Sequence, residues 1–454
     1  MQFSLSSKYA SNNKFRIFID IITWIIRLAV GATFIFSGFV KAIDPWGTLY
    51  KFQEYFAAIG IPTFNALILT GVFALCAVEF IIGVSIFTGC YRKSSPILAL
   101  IFMCFMLPLT LWIAIADPVK DCGCFGDFLI LSNWATFWKN VVLTLLIIWL
   151  IKFNNDEITI ISPAFQWIQV VCSMIFLAAI MLYGYFVQPL LDFRPYPVGE
   201  EMVSLNDAEN EEGDDGEEEN FIFIYEKDGV KKEFTINDDL PSEEDGWNFV
   251  ERKIIDSPKT DNNNNQKQES RDKTFRIWDK NAEDDMTPEA FTDASKRIVI
   301  LIPDLANVSP ATTWKINSIY DTCQKDSIDM FAVVSGSAEQ IKEWEDLSMP
   351  QYEIYSSDDT AIKEVARGNP AIVYIKDGKI VWKTSLSSLD FVLNSEDEKF
   401  NPDSFKIDSK VLLFNLISIY LICLAVLVAF SMIPRIKNAF GKKKSDSETE
   451  EHKN

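Results

Sequence analysis

The chain has 454 residues, 49% of them hydrophobic, and a formal net charge of −21. That length predicts two or three domains, and that charge excludes a nucleic-acid partner, because nothing basic would replace the counterions of a phosphate backbone. The single histidine, His452, lies in a polar tail, which excludes Ser-His-Asp and Cys-His nucleophilic sites and any histidine-rich metal site. Eight cysteines are too few for a disulfide scaffold at this length.

After a short N-terminal segment, residues 1–16, six apolar runs reach the roughly 20 residues that span a bilayer. They fall at 17–40, 63–88, 96–116, 134–152, 165–189 and 410–433. The first has a basic flank, Lys14 and Arg16, but is longer than a signal peptide's apolar region and is read as a retained helix. Lysine and arginine set the orientation. Lys8, Lys14 and Arg16, then Arg92 and Lys93, then Lys152, then Arg435, Lys437 and Lys442 to Lys444 all fall on one side if the N-terminus is cytoplasmic. Both termini, including the tail 434–454, are then inside, and residues 190–409 are outside. Trp46, Trp134 and Trp138 near span ends suit interfacial anchoring. The expected location is a bacterial inner membrane, with the large domain periplasmic.

Residues 190–273 read as an acidic linker that contains a β-hairpin, with strands at 221–225 and 232–236 and an Asp228-Gly229 turn. In the acidic run 200–219 no glycine and closing glutamate fall at the offsets an EF-hand loop requires. From Phe275 strand and helix alternate. Ile298 to Ile302 and Ile328 to Val334 are buried-type strands, Ser309-Pro310 opens a helix, and Ser337 to Glu345 forms another. Gly368-Asn369-Pro370 leads into the strand Ala371 to Ile375, an Asp377-Gly378 turn and the strand Ile380 to Lys383.

This order over 274–398 resembles the thioredoxin-like fold. The resemblance rests on the strand Ile298-Val299-Ile300-Leu301-Ile302 and on Asn369-Pro370 before Ala371-Ile372-Val373-Tyr374-Ile375. It implies a cis bond at Pro370. Where that family places Cys-x-x-Cys, this chain reads Asp304-Leu305-Ala306-Asn307-Val308-Ser309, so the domain is expected to be redox-silent. Cys323, at the far end of the next helix, is read as buried packing.

The first four spans, residues 17–152, resemble the DoxX/MauE group of four-helix membrane proteins. The carrying residues are Arg27-Leu28-Ala29-Val30-Gly31, Phe36-Ser37-Gly38-Phe39-Val40-Lys41, Glu79 and Cys122-Gly123-Cys124-Phe125-Gly126. The expected fold class is therefore a DoxX/MauE-like helical membrane bundle joined to an α/β thioredoxin-like extracytoplasmic domain. The resemblance implies a role in forming disulfides in a periplasmic enzyme of methylamine utilisation, alongside a thioredoxin-like partner.

Two constellations could carry chemistry. Cys122 and Cys124 are one residue apart, and a bend at Gly123 brings them within disulfide range. The ring would be small and strained, which suits a dithiol oxidant or isomerase. Asp121 and Asp127 oppose a thiolate there and Lys120 favours it, so the sequence neighbours predict no strong lowering of a thiol pKa. Holding the loop in shape is the structural alternative for this pair. Arg27 and Glu79 are intramembrane charges at similar reckoned depth and are expected to pair, either as a lock between helices or as a proton or ligand site.

Cys76, Cys104, Cys172 and Cys423 read as single residues inside spans, and Cys90 as lying at the cytoplasmic edge. No cofactor is evident. A quinone has no support in the sequence, because quinone-linked disulfide formers of the vitamin K epoxide reductase type carry two cysteine pairs and this chain shows one. Two functions follow: thiol–disulfide exchange in envelope proteins through Cys122 and Cys124, or a non-catalytic scaffold in an export or envelope-assembly complex. Either implies other membrane or envelope proteins as partners, and the first a thiol-containing client. A transporter is less supported, since paired repeats and broken helices are lacking.

Overall fold

A computed structural model describes residues 13–61, 64–119, 122–153, 159–202, 221–227, 230–235, 248–254, 275–279, 285–291, 296–389, 402–404 and 408–451. It divides into two units, Met1–Gly184 with Asp408–Asn454, and Tyr185–Ile407.

The first unit is helical. Its elements are α1 (Asn13–Ile43), α2 (Pro45–Ile59), α3 (Asn65–Thr88), α4 (Ser94–Ala116), α5 (Asn133–Phe153), α6 (Gln166–Phe186) and a last helix, Ser409–Glu451, numbered α11 below. Among the described residues, six segments are long and apolar enough to cross a membrane: Ile17–Ile43, Asn65–Thr88, Ser94–Ala116, Asn133–Phe153, Pro163–Phe186 and Ser409–Ile433. They coincide with the six expected runs to within a few residues. The remaining helix, α2, was not expected. It starts where the Asp44 side chain accepts from the Gly47 N–H at 2.9 Å and Pro45 supplies a preset φ, and it stops at Gly60, whose φ is +73°.

Helices α1 and α3 pack without room for side chains at their crossing points. A Cβ at Gly38 would lie 2.7 Å from the Phe80 backbone nitrogen, and one at Gly83 would lie 2.5 Å from that of Ile35. Small residues let helices approach this closely in lipid, where dispersion replaces the hydrophobic effect as the driving force. They also fix the antiparallel register. Gly38 faces Phe80, Ile35 faces Gly83 and Gly31 faces Phe87, so each step along α1 is one step back along α3.

Among its described residues the second unit holds two sheets. The smaller has β1 (Phe221–Lys227), β2 (Val230–Thr235) and β3 (Asn248–Ile254) in the order β2-β1-β3, all antiparallel. The hairpin is the expected one, and β3 adds a strand to it. The Asp228-Gly229 turn and residues 203–219 of the acidic run lie outside the described residues.

The larger sheet runs through α7 (Thr287–Phe291), β4 (Lys296–Ile302), α8 (Pro310–Lys325), β5 (Asp329–Val334), α9 (Ala338–Ser348), β6 (Glu353–Ser356), α10 (Asp359–Val365), β7 (Ala371–Lys376) and β8 (Lys379–Ser385). The strand order is β6-β5-β4-β7-β8. β4, β5 and β6 are parallel neighbours, and β7 and β8 are antiparallel additions. Central β4 is buried on both faces, as its unbroken apolar run requires. Ile298, Ile300 and Ile302 pack with Ile316, Ile319 and Trp344, while Val299 and Leu301 pack with Phe291, Ile362 and Val365. α9 opens with a reciprocal Ser337–Gln340 capping box.

Residues 187–202, read from sequence as mostly linker, instead run beside β8. Val187 C=O accepts from Ser385 N–H at 2.9 Å, Gly199 N–H donates to Ile380 C=O at 2.8 Å, and Met202 N–H donates to Gly378 C=O at 3.0 Å. Buried charge secures this segment. Lys383 Nζ lies 2.5 Å from Asp192 Oδ2 and donates to the carbonyls of Tyr196 and Val365, both at 2.6 Å. Arg194 grips the same carboxylate through Nε at 2.7 Å and Nη2 at 3.0 Å. Burial alone would raise the Asp192 pKa, but Arg194 and Lys383 hold it well below the usual carboxylate range.

Candidate functional site

The loop between α4 and α5 returns into the bundle and is fastened there by backbone contacts. The Ser37 hydroxyl on α1 donates to Cys124 C=O at 2.8 Å, and the Tyr55 hydroxyl on α2 donates to Cys122 C=O at 2.6 Å. Gly123, between them, has a φ of +60°, a conformation that L side chains rarely adopt. A turn follows in which Gly126 N–H donates to Gly123 C=O at 3.0 Å. Phe125 packs against Phe36, with ring centroids 5.5 Å apart, and Lys139 Nζ sits 4.2 Å from its ring centroid. At the far end of the loop Asn133 Nδ2 donates to Asp117 Oδ1 at 2.7 Å and to Val119 C=O at 3.0 Å.

These constraints bring Cys122 Sγ and Cys124 Sγ to 3.1 Å, both sulfurs buried. The thiols are unequal. The hydrogen bond from Cys122 lowers the Cys124 pKa to about 6; burial opposes this, and the charges of Lys139 and Lys41 reinforce it. Cys122 is pushed far above the ordinary thiol range by that same hydrogen bond, by burial and by the charge of Cys124. The sequence neighbours of the pair predict no such lowering. The cations that act are Lys41 and Lys139, contributed by α1 and α5, whereas Lys120 and Asp121 lie outside the described residues.

Glu79 is buried next to this loop, but its partner is not Arg27. Lys41 Nζ lies 2.7 Å from Glu79 Oε2 and donates to Ser37 Oγ at 2.8 Å. The expected Arg27–Glu79 pair is therefore corrected, and the glycine-set register gives the reason. With Gly38 opposite Phe80, Glu79 lies level with the end of α1 near Lys41, whereas Arg27 lies about a turn beyond Gly31 and Phe87, near the other end of α3. There the Arg27 guanidinium stacks 4.0 Å from the Trp24 ring centroid, and its charge acts on Cys90. Lys41 was legible as part of the Ser-Gly-x-x-Lys motif but was placed just past the end of the first span.

The result is a continuous polar chain from Glu79 through Lys41 and Ser37 to the backbone of Cys124. A cavity of about 20 Å³, room for a water, is lined by Ser37, Lys41, Glu79, Cys124, Lys139 and Asn140 among others. Chemically, this arrangement offers a low-pKa thiol, a second thiol in contact with it and nearby groups able to hold or pass a proton.

In the α/β unit the Asn369–Pro370 bond is cis. Asn369 Nδ2 donates to Asp304 C=O at 2.7 Å, and Asp304 N–H donates to Asn369 Oδ1 at 3.4 Å. The proline loop thus lies beside the turn Leu305–Asn307 and the Ser309 cap of α8, a stretch that contains no cysteine. Cys323 is buried in the core, where burial and then Asp326 push its thiol up to about 12.

The structure also joins two cysteines that sequence spacing left single. Cys172 on α6 and Cys423 on α11 have their sulfurs 2.9 Å apart.

Six membrane-length helices and a separate α/β domain define a multi-pass membrane protein with a large non-membrane domain. Residues 19–153, which take in most of α1 and all of α2 to α5, match the family model for Methylamine utilisation protein MauE. Residues 219–255, which include β1 to β3, match a domain of unknown function, DUF8463. No curated protein and no solved structure matches the chain.

Proposed function

We propose that this protein carries out thiol–disulfide exchange on envelope proteins, with Cys122 and Cys124 as the exchanging pair. The observation that carries the reading is the contact of the two sulfurs at 3.1 Å, with the Cys124 backbone tied through Ser37 to the buried Lys41–Glu79 pair. In the oxidised form a client thiolate attacks Cys122 Sγ, the Cys122–Cys124 bond breaks and Cys124 leaves as the thiolate. Low leaving-group pKa favours that direction. A second client thiolate then attacks the mixed disulfide and releases Cys122. The client loses two electrons and two protons, and the pair gains them. A partner protein disulfide reoxidises the pair by the reverse exchange.

The lysine and arginine distribution supports a bacterial inner-membrane location with both termini cytoplasmic and the exchanging loop and α/β domain periplasmic. The strand order and the contact of the Asn369–Pro370 loop with the segment after β4 support a thioredoxin-like fold. Without thiols at that segment, the domain's role in this reading is to hold client or partner proteins. The name of the matched family points to methylamine utilisation as one setting for the client.

A second reading, a non-catalytic scaffold, is favoured by the cysteine-free Asp304–Ser309 segment. Thiol trapping in intact cells separates the two. Exchange predicts that Cys122 and Cys124 shift between reduced and oxidised forms under envelope redox stress, and that Cys124→Ser or Cys122→Ser traps or abolishes the mixed disulfide with a client. An unchanged redox state, together with an unchanged phenotype in the double serine variant, rejects exchange in favour of the scaffold.

A further inference from the structure

Helices α6 and α11 meet along an antiparallel seam. Ser162 N–H donates to Ser431 Oγ at 2.9 Å, Cys172 Sγ meets Cys423 Sγ at 2.9 Å, and the Ser173 and Tyr420 hydroxyls are 2.7 Å apart. One turn on, Phe176 stacks on Tyr420 with centroids 4.4 Å apart. Gln169 Nε2 donates to Ser173 Oγ at 3.3 Å and so braces the polar end of this stack. Contacts on both sides of the cysteines therefore fix which residues face each other. The sulfurs are held in contact by the register of two helices, across 251 positions of sequence. A disulfide bond is about 2.05 Å long, so a small side-chain rotation closes the remaining gap.

Both cysteines lie within apolar spans, Cys172 about 9 Å along the axis from Gln166 and Cys423 about 21 Å from Ser409, at 1.5 Å per residue. Each is only partly buried by the protein, which leaves part of its surface to the surrounding lipid. Oxidants dissolved in water, such as glutathione disulfide or protein disulfides, do not enter that layer. A lipid-soluble quinone does.

We propose that Cys172 and Cys423 form a second redox pair, oxidised to an α6–α11 disulfide by a lipid-soluble quinone. The balance is complete: both S–H bonds break, one S–S bond forms, and the two protons and two electrons convert the quinone to its hydroquinone. The disulfide joins the helix that precedes residues 187–408 to the helix that follows them, and so closes that whole stretch into one covalent loop.

The test uses the full chain in native membranes. Membranes are treated with an alkyl-substituted benzoquinone, denatured in excess maleimide, digested without reductant and analysed by mass spectrometry. The expected result is a peptide pair linked through Cys172 and Cys423. It should be abolished by prior dithiothreitol, absent in Cys172→Ser and in Cys423→Ser, and formed at least tenfold less with glutathione disulfide. It should persist in the Cys122→Ser, Cys124→Ser double variant, because its electrons do not pass through that pair. Recovery of Cys172 and Cys423 as separately alkylated residues after quinone treatment overturns the proposal. Equal cross-linking by glutathione disulfide, or loss of the link in the Cys122/Cys124 variant, overturns the quinone step. The wild-type measurement decides the matter even if a serine variant fails to fold.

Discussion

Lys41 on α1 holds Glu79 on α3 at 2.7 Å, and the same ammonium donates to Ser37, whose hydroxyl carries the Cys124 carbonyl. A buried ion pair is thus wired to the loop that bears the thiols. Removing one partner leaves an uncompensated charge among apolar helices, a loss of about 3–5 kcal/mol. Lys41→Met or Glu79→Leu alone should lower the unfolding midpoint of detergent-solubilised protein markedly. The double variant Lys41→Met, Glu79→Leu should recover much of the loss, and a double-mutant cycle reads the coupling directly.

The inequality of the two thiols is measurable as a pH profile. Cys124, lowered to about 6, is largely thiolate at neutral pH and loses that form as pH falls through about 6. Alkylation of Cys124 by iodoacetamide, followed by peptide mass spectrometry, should show a midpoint near pH 6, while Cys122 stays unreactive over the same range. Lys139→Gln removes a cation that favours the thiolate and should move the midpoint upward. A midpoint near the ordinary thiol value of 9.0 in the wild type would remove the electrostatic part of the exchange reading.

Gly83→Ala adds a methyl group where a Cβ meets the Ile35 nitrogen at 2.5 Å. Backbone cannot yield as a flexible side chain does, so the helices must separate, at a cost of about 1–3 kcal/mol or more. Gly71, also on α3 but with nothing near its Cβ position, is the control: Gly71→Ala should leave the unfolding midpoint unchanged or slightly raised.

In the α/β unit, Asp192→Asn leaves Lys383 and Arg194 buried beside a neutral amide and should destabilise that domain by about 3–5 kcal/mol. Hydrogen exchange of β8 in the full chain reads the effect locally. The sign of the pH dependence follows from the depressed carboxyl. Its contribution is complete above the unfolded value of 3.8 and is lost as pH falls below it. Wild-type β8 should therefore lose protection below about pH 4 more steeply than the Asp192→Asn variant.

Features carried by a single stretch of chain were legible from sequence. The six spans show as uninterrupted apolar length, the Cys122-Gly123-Cys124 loop as a polar break between two of them, and β4 as an all-apolar run. Features that depend on two stretches meeting were not. Glu79 could be assigned a depth but not a partner, because the partner depends on where Gly38 and Gly83 set α1 against α3. Cys172 and Cys423 looked solitary because the helices that pair them are separated by a whole domain. The Lys383–Asp192–Arg194 cluster escaped notice because Asp192 and Arg194 sat at the edge of what reads as linker.

The glycine contacts of α1 with α3 have a mechanical consequence for the thiols. A slide of one helix past the other by a single turn, about 5.4 Å, would drive Gly38 and Gly83 off their partners and pull Lys41 away from Glu79 in the same movement. Steric fit and charge therefore resist the same displacement, and α1 and α3 act as a fixed bed. The Cys122–Cys124 segment is tied to that bed through the Cys124 carbonyl and to α2 through the Cys122 carbonyl, so in the exchange reading a client reaches the sulfurs when Ser37 and Tyr55 let go of the loop. In that reading the thiols open by freeing the loop from its neighbours, while α1 and α3 keep their register.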